Sequence, residues 1–130
     1  MFEIVKHYRD NAALRDSFNQ LAEETFGLNF EGWYRNGFWG DNYEPYSIFE
    51  DGKIVANVSL NRTDLLIDGT QKRIYQLGTV MTHPDYRNRG YIRILMAEIE
   101  KLKEKGLWFV CADMDGKRMY DLPLTGPIGL

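Results

Sequence analysis

The stretch Thr82-His83-Pro84-Asp85-Tyr86-Arg87-Asn88-Arg89-Gly90-Tyr91-Ile92 holds the residue types and the order that could do chemistry. A β-rich run from Arg73 to Thr82 stops at Pro84, and Ile92, Leu95, Met96, Ile99 and Leu102 then recur at helical spacing. The first turn of a helix leaves backbone N–H groups unpaired and carries partial positive charge, so a strand-to-helix turn at this point can hold a phosphate or pyrophosphate. Gly90 lets the backbone come close to such a ligand. From Arg87 to Lys105 six basic residues stand against three acidic ones, which puts positive charge where the anion would sit.

The elements that must position this turn can be read on either side of it. Phe2 to Val5 reads as a short strand, and Asp10 or Asn11 caps a helix to about Phe26, with Leu14, Phe18, Leu21 and Ala22 on one face and Gly27 as terminator. From Gly32 to Tyr46 there are six aromatic residues among fifteen, broken by Asn36-Gly37, Gly40 and Pro45, which reads as a short helix followed by a loop. Asp51-Gly52 joins strands Tyr46–Glu50 and Lys53–Asn61, because Asp-Gly readily takes the positive φ angles of a tight hairpin. Asp68-Gly69 closes a second hairpin, between Leu65–Ile67 and Arg73–Thr82. A helix over Tyr91–Lys105 ends at Gly106, and Leu107–Ala112 reads as another strand. The expected order is β, α, α, β, β, β, α, β. Glycines and prolines in the segment from Asp113 to Leu130 make a long regular element there doubtful.

A chain of 130 residues has room for one core, so residues 1–130 are read as a single domain. Hydrophobic residues at 44% and charged residues at 27% are ordinary globular usage, which excludes a disordered or fibrous chain. A net charge of −3 has the wrong sign for a surface that grips nucleic acid, so no nucleic-acid partner is expected. Cys111 is the only cysteine, which excludes an intrachain disulfide and a cysteine-built zinc site and fits a cytoplasmic protein. The longest apolar run, Leu107 to Ala112, is far short of the ~20 residues a membrane-spanning helix needs, so no membrane partner is expected.

Gln76 to Glu100 resembles the cofactor-binding core of GNAT-type N-acetyltransferases, in which a strand ends in His-Pro-x-Tyr and an Arg/Gln-x-x-Gly-x-Gly/Ala turn opens a helix. Arg87 and Gly90 match that turn, and Ile92 stands where the pattern has Gly or Ala. With Gly78-Thr79-Val80-Met81-Thr82-His83-Pro84 in front, the segment looks closest to the Eis-like branch. The resemblance implies an α/β fold with a mixed, mainly antiparallel sheet flanked by helices. It also implies a shortened C-terminal part, since relatives continue past the Leu107–Ala112 strand with a helix and two strands, and twenty residues follow Val110.

The implied activity is transfer of an acetyl group from acetyl-CoA, as co-substrate, to a primary amine of a small molecule or peptide, without a metal. Val80, Met81 and Thr82 would offer backbone groups to the pantetheine arm. Arg87, Asn88, Arg89, Gly90, Tyr91 and Ile92 would hold the pyrophosphate, and a backbone N–H would polarise the thioester carbonyl. The family's general acid is a tyrosine on the helix after the fifth strand. Its counterpart here is Tyr120, followed by Pro123 and by Leu124-Thr125 in place of the usual Gly-Phe. Gln76 and Gly78 stand where many relatives carry Glu, which leaves ordered water to take the amine's proton. His83 before Pro84 is a common strand exit in the family and is read as structural.

In the family the early helix and loop form one wall of the acceptor site. Trp33, Trp39, Asp41, Tyr43 and Glu44 are the matching candidates, aromatic faces and carboxylates that suit a cationic amine. Core filling is the alternative for these rings. For the whole chain the alternatives are a CoA-binding but catalytically silent remnant and a protein-interaction domain. Leu107–Ala112, uncovered at one edge, would favour a homodimer.

Overall fold

Asn11 opens α1 (Ala12–Phe26) by accepting the Leu14 N–H on its side chain, and Gly27 closes it in the left-handed conformation at φ 70°. These two caps fix where the helix starts and stops on the sheet. The computed structural model describes residues 1–101, 108–112 and 119–121. Around α1 the chain builds β1 (Glu3–Val5), α2 (Glu31–Arg35), β2 (Tyr43–Glu50), β3 (Lys53–Ile67) and β4 (Thr70–Thr82). A 3₁₀ turn over Pro84–Tyr86 then leads into α3 (Tyr91–Glu100), followed by β5 (Trp108–Ala112) and β6 (Met119–Asp121). The expected α/β order of elements is the observed one, with β6 in addition.

Among the described residues the strands form one six-stranded sheet in the order β1-β2-β3-β4-β5-β6. Every pair is antiparallel except β4 with β5, which run parallel at Ile74–Trp108 through Leu77–Cys111. Parallel neighbours need a crossover, and α3 lies on the chain between them. Several boundaries differ from expectation: β4 begins at Thr70 rather than Arg73, and α3 is Tyr91–Glu100, the expected continuation to Lys105 and the stop at Gly106 lying outside the described residues. β2 begins at Tyr43 rather than Tyr46, since Tyr43 already pairs with Asn61, and β3 continues through the polar run Asn61 to Asp64 as far as Ile67. The β5 edge is also not left open: β6 pairs with it at Val110–Asp121, Cys111–Tyr120 and Ala112–Met119. No helix among the described residues is long and apolar enough to cross a membrane.

Each face of the sheet has its own core. On one face α3 supplies Tyr91, Leu95, Met96 and Ile99, packed on Tyr46, Ile48, Val58, Leu60 and Leu77. On the other, Phe18, Leu21 and Ala22 of α1 meet Tyr8, Trp39, Tyr43, Ile54 and Met81. Phe18, completely buried, touches the rings of Tyr8, Phe30 and Trp39.

α1 and α2 are joined by a polar clasp. The guanidinium of Arg15 donates to the Glu31 carboxylate at 2.9 Å and to the Arg9 carbonyl at 2.8 Å, and lies 3.7 Å from the Tyr34 ring centroid. Asn19 donates to the same carboxylate and accepts the Phe30 N–H. The hydrogen bond from Arg15 is the main cause holding the Glu31 carboxyl below its ordinary range. A carboxyl whose pKa is lowered by folding stabilises the fold above its unfolded pKa, and that contribution is lost as pH falls through the folded value. Glu31→Gln should therefore be less stable than the parent at neutral pH and show a smaller loss of stability on acidification below the ordinary carboxylate range. Urea titrations at stepped pH check this; parallel acid limbs for the two proteins would count against the clasp.

Candidate functional site

A cleft of about 850 Å³ opens where β4 ends and α3 begins. Its walls include Val80, Met81, Thr82, Arg87, Asn88, Arg89, Gly90, Tyr91 and Ile92, all of the residues that the sequence picked out for a phosphate-bearing ligand. Met96 and Ala97 of α3 add an apolar part to the wall, and Thr25 of α1 also lines it.

The turn itself is shaped to receive an anion. Asn88 and Gly90 both have positive φ, 64° and 76°, on either side of Arg89. Left-handed residues alternating in this way turn successive N–H groups toward one point. The first helical hydrogen bond of α3 runs from the Ile94 N–H to the Gly90 carbonyl, so the donors before Ile94 lie in the first turn, where helices leave N–H groups free. The Tyr91 hydroxyl donates to Glu50, whose carboxylate also stands 3.5 Å from the Arg89 guanidinium. Arg89 further packs over the Tyr86 ring, and the Tyr86 hydroxyl donates to Asp51. That bond to Asp51 is the main cause pushing the Tyr86 hydroxyl up to about 12. Arg89 is thus held by the β2–β3 hairpin, whereas Arg87 and Arg93 have no ion pair among the described residues. Positive charge at the turn is divided between a fixed arginine and two that remain available.

Beside the cleft β4 has an edge that is free among the described residues. Its pairing with β5 ends at Leu77–Cys111, so Gly78 to Thr82 have β3 on one side and no described strand on the other. A β-bulge falls in this segment: Ser59 pairs with Gly78 and Asn57 with Met81, which leaves Thr79 and Val80 opposite Val58 alone. Thr79 has φ 49°. Its carbonyl accepts from the Asn57 amide at 2.9 Å and its hydroxyl lies 2.9 Å from that of Tyr43.

A second pocket, about 260 Å³, is lined by His7, Arg9, Asp10, Gly40, Asp41, Tyr43 and Glu44. Asp41, Tyr43 and Glu44, singled out in the sequence as acceptor-site candidates, therefore come together. Arg9 donates to Asp41 at 2.8 Å and the His7 N–H to Glu44, so both carboxylates are partly answered from the β1–α1 loop. Trp39 and Trp33 lie elsewhere. Trp39 is 2% exposed and fills the α1-side core, and Trp33 packs against it and edge-on to Tyr43. For Trp39 core filling is what the geometry gives, while Trp33 is half-buried against that core. Among the described residues, no three His, Cys, Asp or Glu side chains gather in a group able to hold a metal.

A family model for the acetyltransferase (GNAT) domain matches residues 10–112. The chain belongs to the GNAT acetyltransferase family. No curated protein matches it in sequence. In fold it is similar to a probable N-acyltransferase from Enterococcus faecalis V583, at 16% identity and a TM-score of 0.72 over 88% of this chain and 30% of that one. It is also similar to an aminoglycoside acetyltransferase from an uncultured soil metagenomic sample, solved with sisomicin (14% identity, TM-score 0.67, 89% of this chain and 80% of that one). A predicted acetyltransferase from Clostridium acetobutylicum, solved with acetyl-CoA, gives 17% identity and a TM-score of 0.63 over 90% and 84% of the two chains. At these identities the likeness is one of fold, and this chain spans 30% of the Enterococcus protein's length.

Within the GNAT domain two further sequence candidates can be placed. His83 accepts the Asp85 N–H on its Nδ1 at 3.1 Å and so caps the 3₁₀ turn at the strand exit. Tyr120 lies on β6, opposite Cys111, in extended backbone rather than on the helix that the family pattern implies. What sequence reasoning missed is the buried polar set Tyr8, Ser47, Asn57 and Ser59 behind the bulge. Small polar residues alternating with Ile48, Val58 and Leu60 along strands read as a solvent-facing side, and only their burial shows otherwise.

Gly90 is the local test of the turn. A Cβ added there meets no atom within 4 Å, but φ 76° is left-handed. Gly90→Ala should therefore lose about 1–2 kcal/mol through backbone strain alone, with no packing defect. Chemical denaturation checks it, and an unchanged midpoint would mean that the turn does not hold this φ.

Proposed function

We propose that this GNAT domain transfers an acetyl group from acetyl-CoA to a primary amine of a small molecule or peptide. The observation that carries the proposal is the cleft, which gathers Val80–Thr82 and the whole turn Arg87–Ile92 at the start of α3. Acetyl-CoA would bring to this site a pyrophosphate and an activated thioester. The turn's N–H groups with Arg87 and Arg93 suit the first, and the free edge of β4 from Gly78 to Thr82 suits the amide-bearing arm that leads to the second. A backbone N–H of the bulge would polarise the carbonyl oxygen while the amine nitrogen bonds to its carbon. The C–S bond then breaks, and the departing thiolate takes a proton. Tyr120 is the proposed donor, with water accepting the proton that the amine gives up. The pocket of Asp41, Tyr43 and Glu44 is the proposed acceptor site, its carboxylates suited to a cationic amine.

The Gly78-to-Pro84 run supports a place near the Eis-like branch, and the lone Cys111 supports a cytoplasmic setting. A homodimer is part of the proposal; β6 covers the β5 edge first considered for it, so it would form on β6, the short last strand of the described sheet. Light scattering at micromolar concentrations tests that point, and a monomer at every concentration removes it.

Acetyl-CoA and CoA should each raise the melting temperature, while NAD and ATP should not, because a ligand bound only by the folded state stabilises it by mass action. Gly90→Val should lose most of that shift, since the added side chain distorts a turn at φ 76° and projects from its open side. A Gly90→Val protein that binds CoA like the parent would overturn the pyrophosphate assignment.

Tyr120→Phe should leave acetyl-CoA affinity near that of the parent and lower turnover by about 10²–10⁴-fold, the usual loss for a general acid. Assays over polyamines, aminoglycosides, amino acids and peptide N-termini supply the acceptor. Parent-level turnover in Tyr120→Phe removes the residue from the mechanism, and binding of acetyl-CoA with no acetylation across the panel favours a silent remnant.

A further inference from the structure

Thr79 is in a conformation that its own side chain opposes. A β-branched residue in the left-handed region is a genuine outlier, and such strain persists only where the surroundings over-determine it. At φ 49°, in the middle of a strand, Thr79 has no residue of its own to pair with on β3. Its carbonyl and hydroxyl are taken up by side chains instead.

Those side chains belong to a buried network that runs across β2, β3 and β4. The Ser47 hydroxyl donates to Asn57 Oδ1 at 2.7 Å, so the 2.8 Å contact between Tyr8 and Ser47 has the Tyr8 hydroxyl as donor. Asn57 Nδ2 donates to Ser59 Oγ at 2.8 Å and to the Thr79 carbonyl at 2.9 Å, which uses both of its hydrogens. Asn57 is completely buried, and with every donor committed its amide cannot rotate without leaving a buried polar group unpaired. Tyr43 grips Thr79 from the other end, hydroxyl to hydroxyl at 2.9 Å. Burial is the main cause that raises the Tyr43 pKa, so the phenol stays protonated through the neutral range.

We propose that Asn57 and Tyr43 are positioning residues that clamp Thr79 in its left-handed conformation and thereby fix where Val80, the next residue of the bulge and part of the cleft wall, presents its backbone. The inference rests on the acetyl-transfer proposal for its kinetic consequence, but the clamp itself is a property of the fold. It also gives Tyr43 a second role, since this ring lines the acceptor pocket while its hydroxyl holds the bulge. The fit of the acceptor pocket and the geometry of the cleft are then joined through one hydroxyl pair.

The test uses Thr79→Gly, Thr79→Val, Tyr43→Phe and the double variants that combine Tyr43→Phe with each change at position 79. Thr79→Gly should melt above Thr79→Val, the reverse of the ordinary strand preference, because only glycine accepts this φ freely. Tyr43→Phe should lower the melting temperature of the parent but hardly that of Thr79→Gly. CoA affinity should stay within about two-fold of the parent in Tyr43→Phe, while kcat falls by up to about 10²-fold, the scale expected of a small misplacement at a reacting centre. Tyr43→Phe combined with Thr79→Val should lose no more activity than the worse of its two components, since both remove the same contact. A valine variant that melts above the glycine variant, or activity losses that multiply in the double, would overturn the clamp. If the parent acetylates no amine, the acetyl-transfer proposal fails, and the melting temperatures alone still decide for or against the clamp.

Discussion

Backbone N–H and C=O groups inside a sheet are paired on both sides, because leaving one buried and unpaired costs about as much as a lost hydrogen bond. β4 departs from that condition in its last turns of pleat. It is paired along its length by β3, and on the other side by β5 only from Ile74 to Leu77. From Gly78 onward its outer edge is free among the described residues, and the cleft lies against that edge. The parallel sense of the β4–β5 pair makes this possible. A hairpin partner would follow β4 from its very end, whereas a parallel partner must first be reached by a crossover, and that crossover is α3, whose first turn closes the far side of the cleft.

Holding a strand edge open is stable only if both faces of the strand are well anchored. Leu77 is buried in the α3-side core and Met81 in the α1-side core, on either side of the bulge. Between them Thr79 is tied to Asn57 and Tyr43. The polar network sits on the α1 side of β2 and β3, where an apolar core would pack as densely but would offer the bulge carbonyl no donor. Its members are satisfied as a set, which is the condition under which buried polar groups specify a structure rather than weaken it. The same economy holds at the helix start, where Glu50 at the end of β2 receives the Tyr91 hydroxyl and faces the Arg89 guanidinium, tying the turn to the hairpin below it.

What could be read from the sequence was what local chemistry decides. Asn11 and Gly27 bounded α1 as expected, and Asp51-Gly52 and Asp68-Gly69 take the positive φ angles that their hairpins require. The turn from Arg87 to Gly90 was legible through its match at Arg87 and Gly90 to the GNAT pattern, since arginines and a glycine between a strand and a helix also suit an ordinary turn. Elements decided by distant partners were not legible. The start of β2 at Tyr43 depends on Asn61 across the sheet, and Pro45 in that strand reads locally as a break. β6 spans Met119–Asp121 and is defined by its register with β5, with no periodicity of its own to reveal it. Thr79 was hidden for the opposite reason: a threonine in a strand is what propensity favours, and nothing in its type announces a left-handed φ. Trp39 misled by chemistry that was right in kind. Rings suit both a cation site and a core, and only the complete burial of Phe18 against Trp39 decides between them.

A reaction between two ligands needs a point where both can arrive, and a continuous sheet forbids such a point by keeping what lies on one face away from what lies on the other. The cleft wall carries Met81 from the α1-side core together with Tyr91 and Met96 from the α3-side core, so it passes around the free edge of β4 rather than lying on one face. The pocket of Asp41, Tyr43 and Glu44 shares Tyr43 with the α1-side core, and the Tyr43 hydroxyl reaches the bulge. The place where the sheet stops separating its faces is thus also the place where Thr79 is strained and clamped. Relaxing Thr79 to ordinary strand geometry would align Val80 with a β3 partner and remove the irregularity that lies beside the cleft.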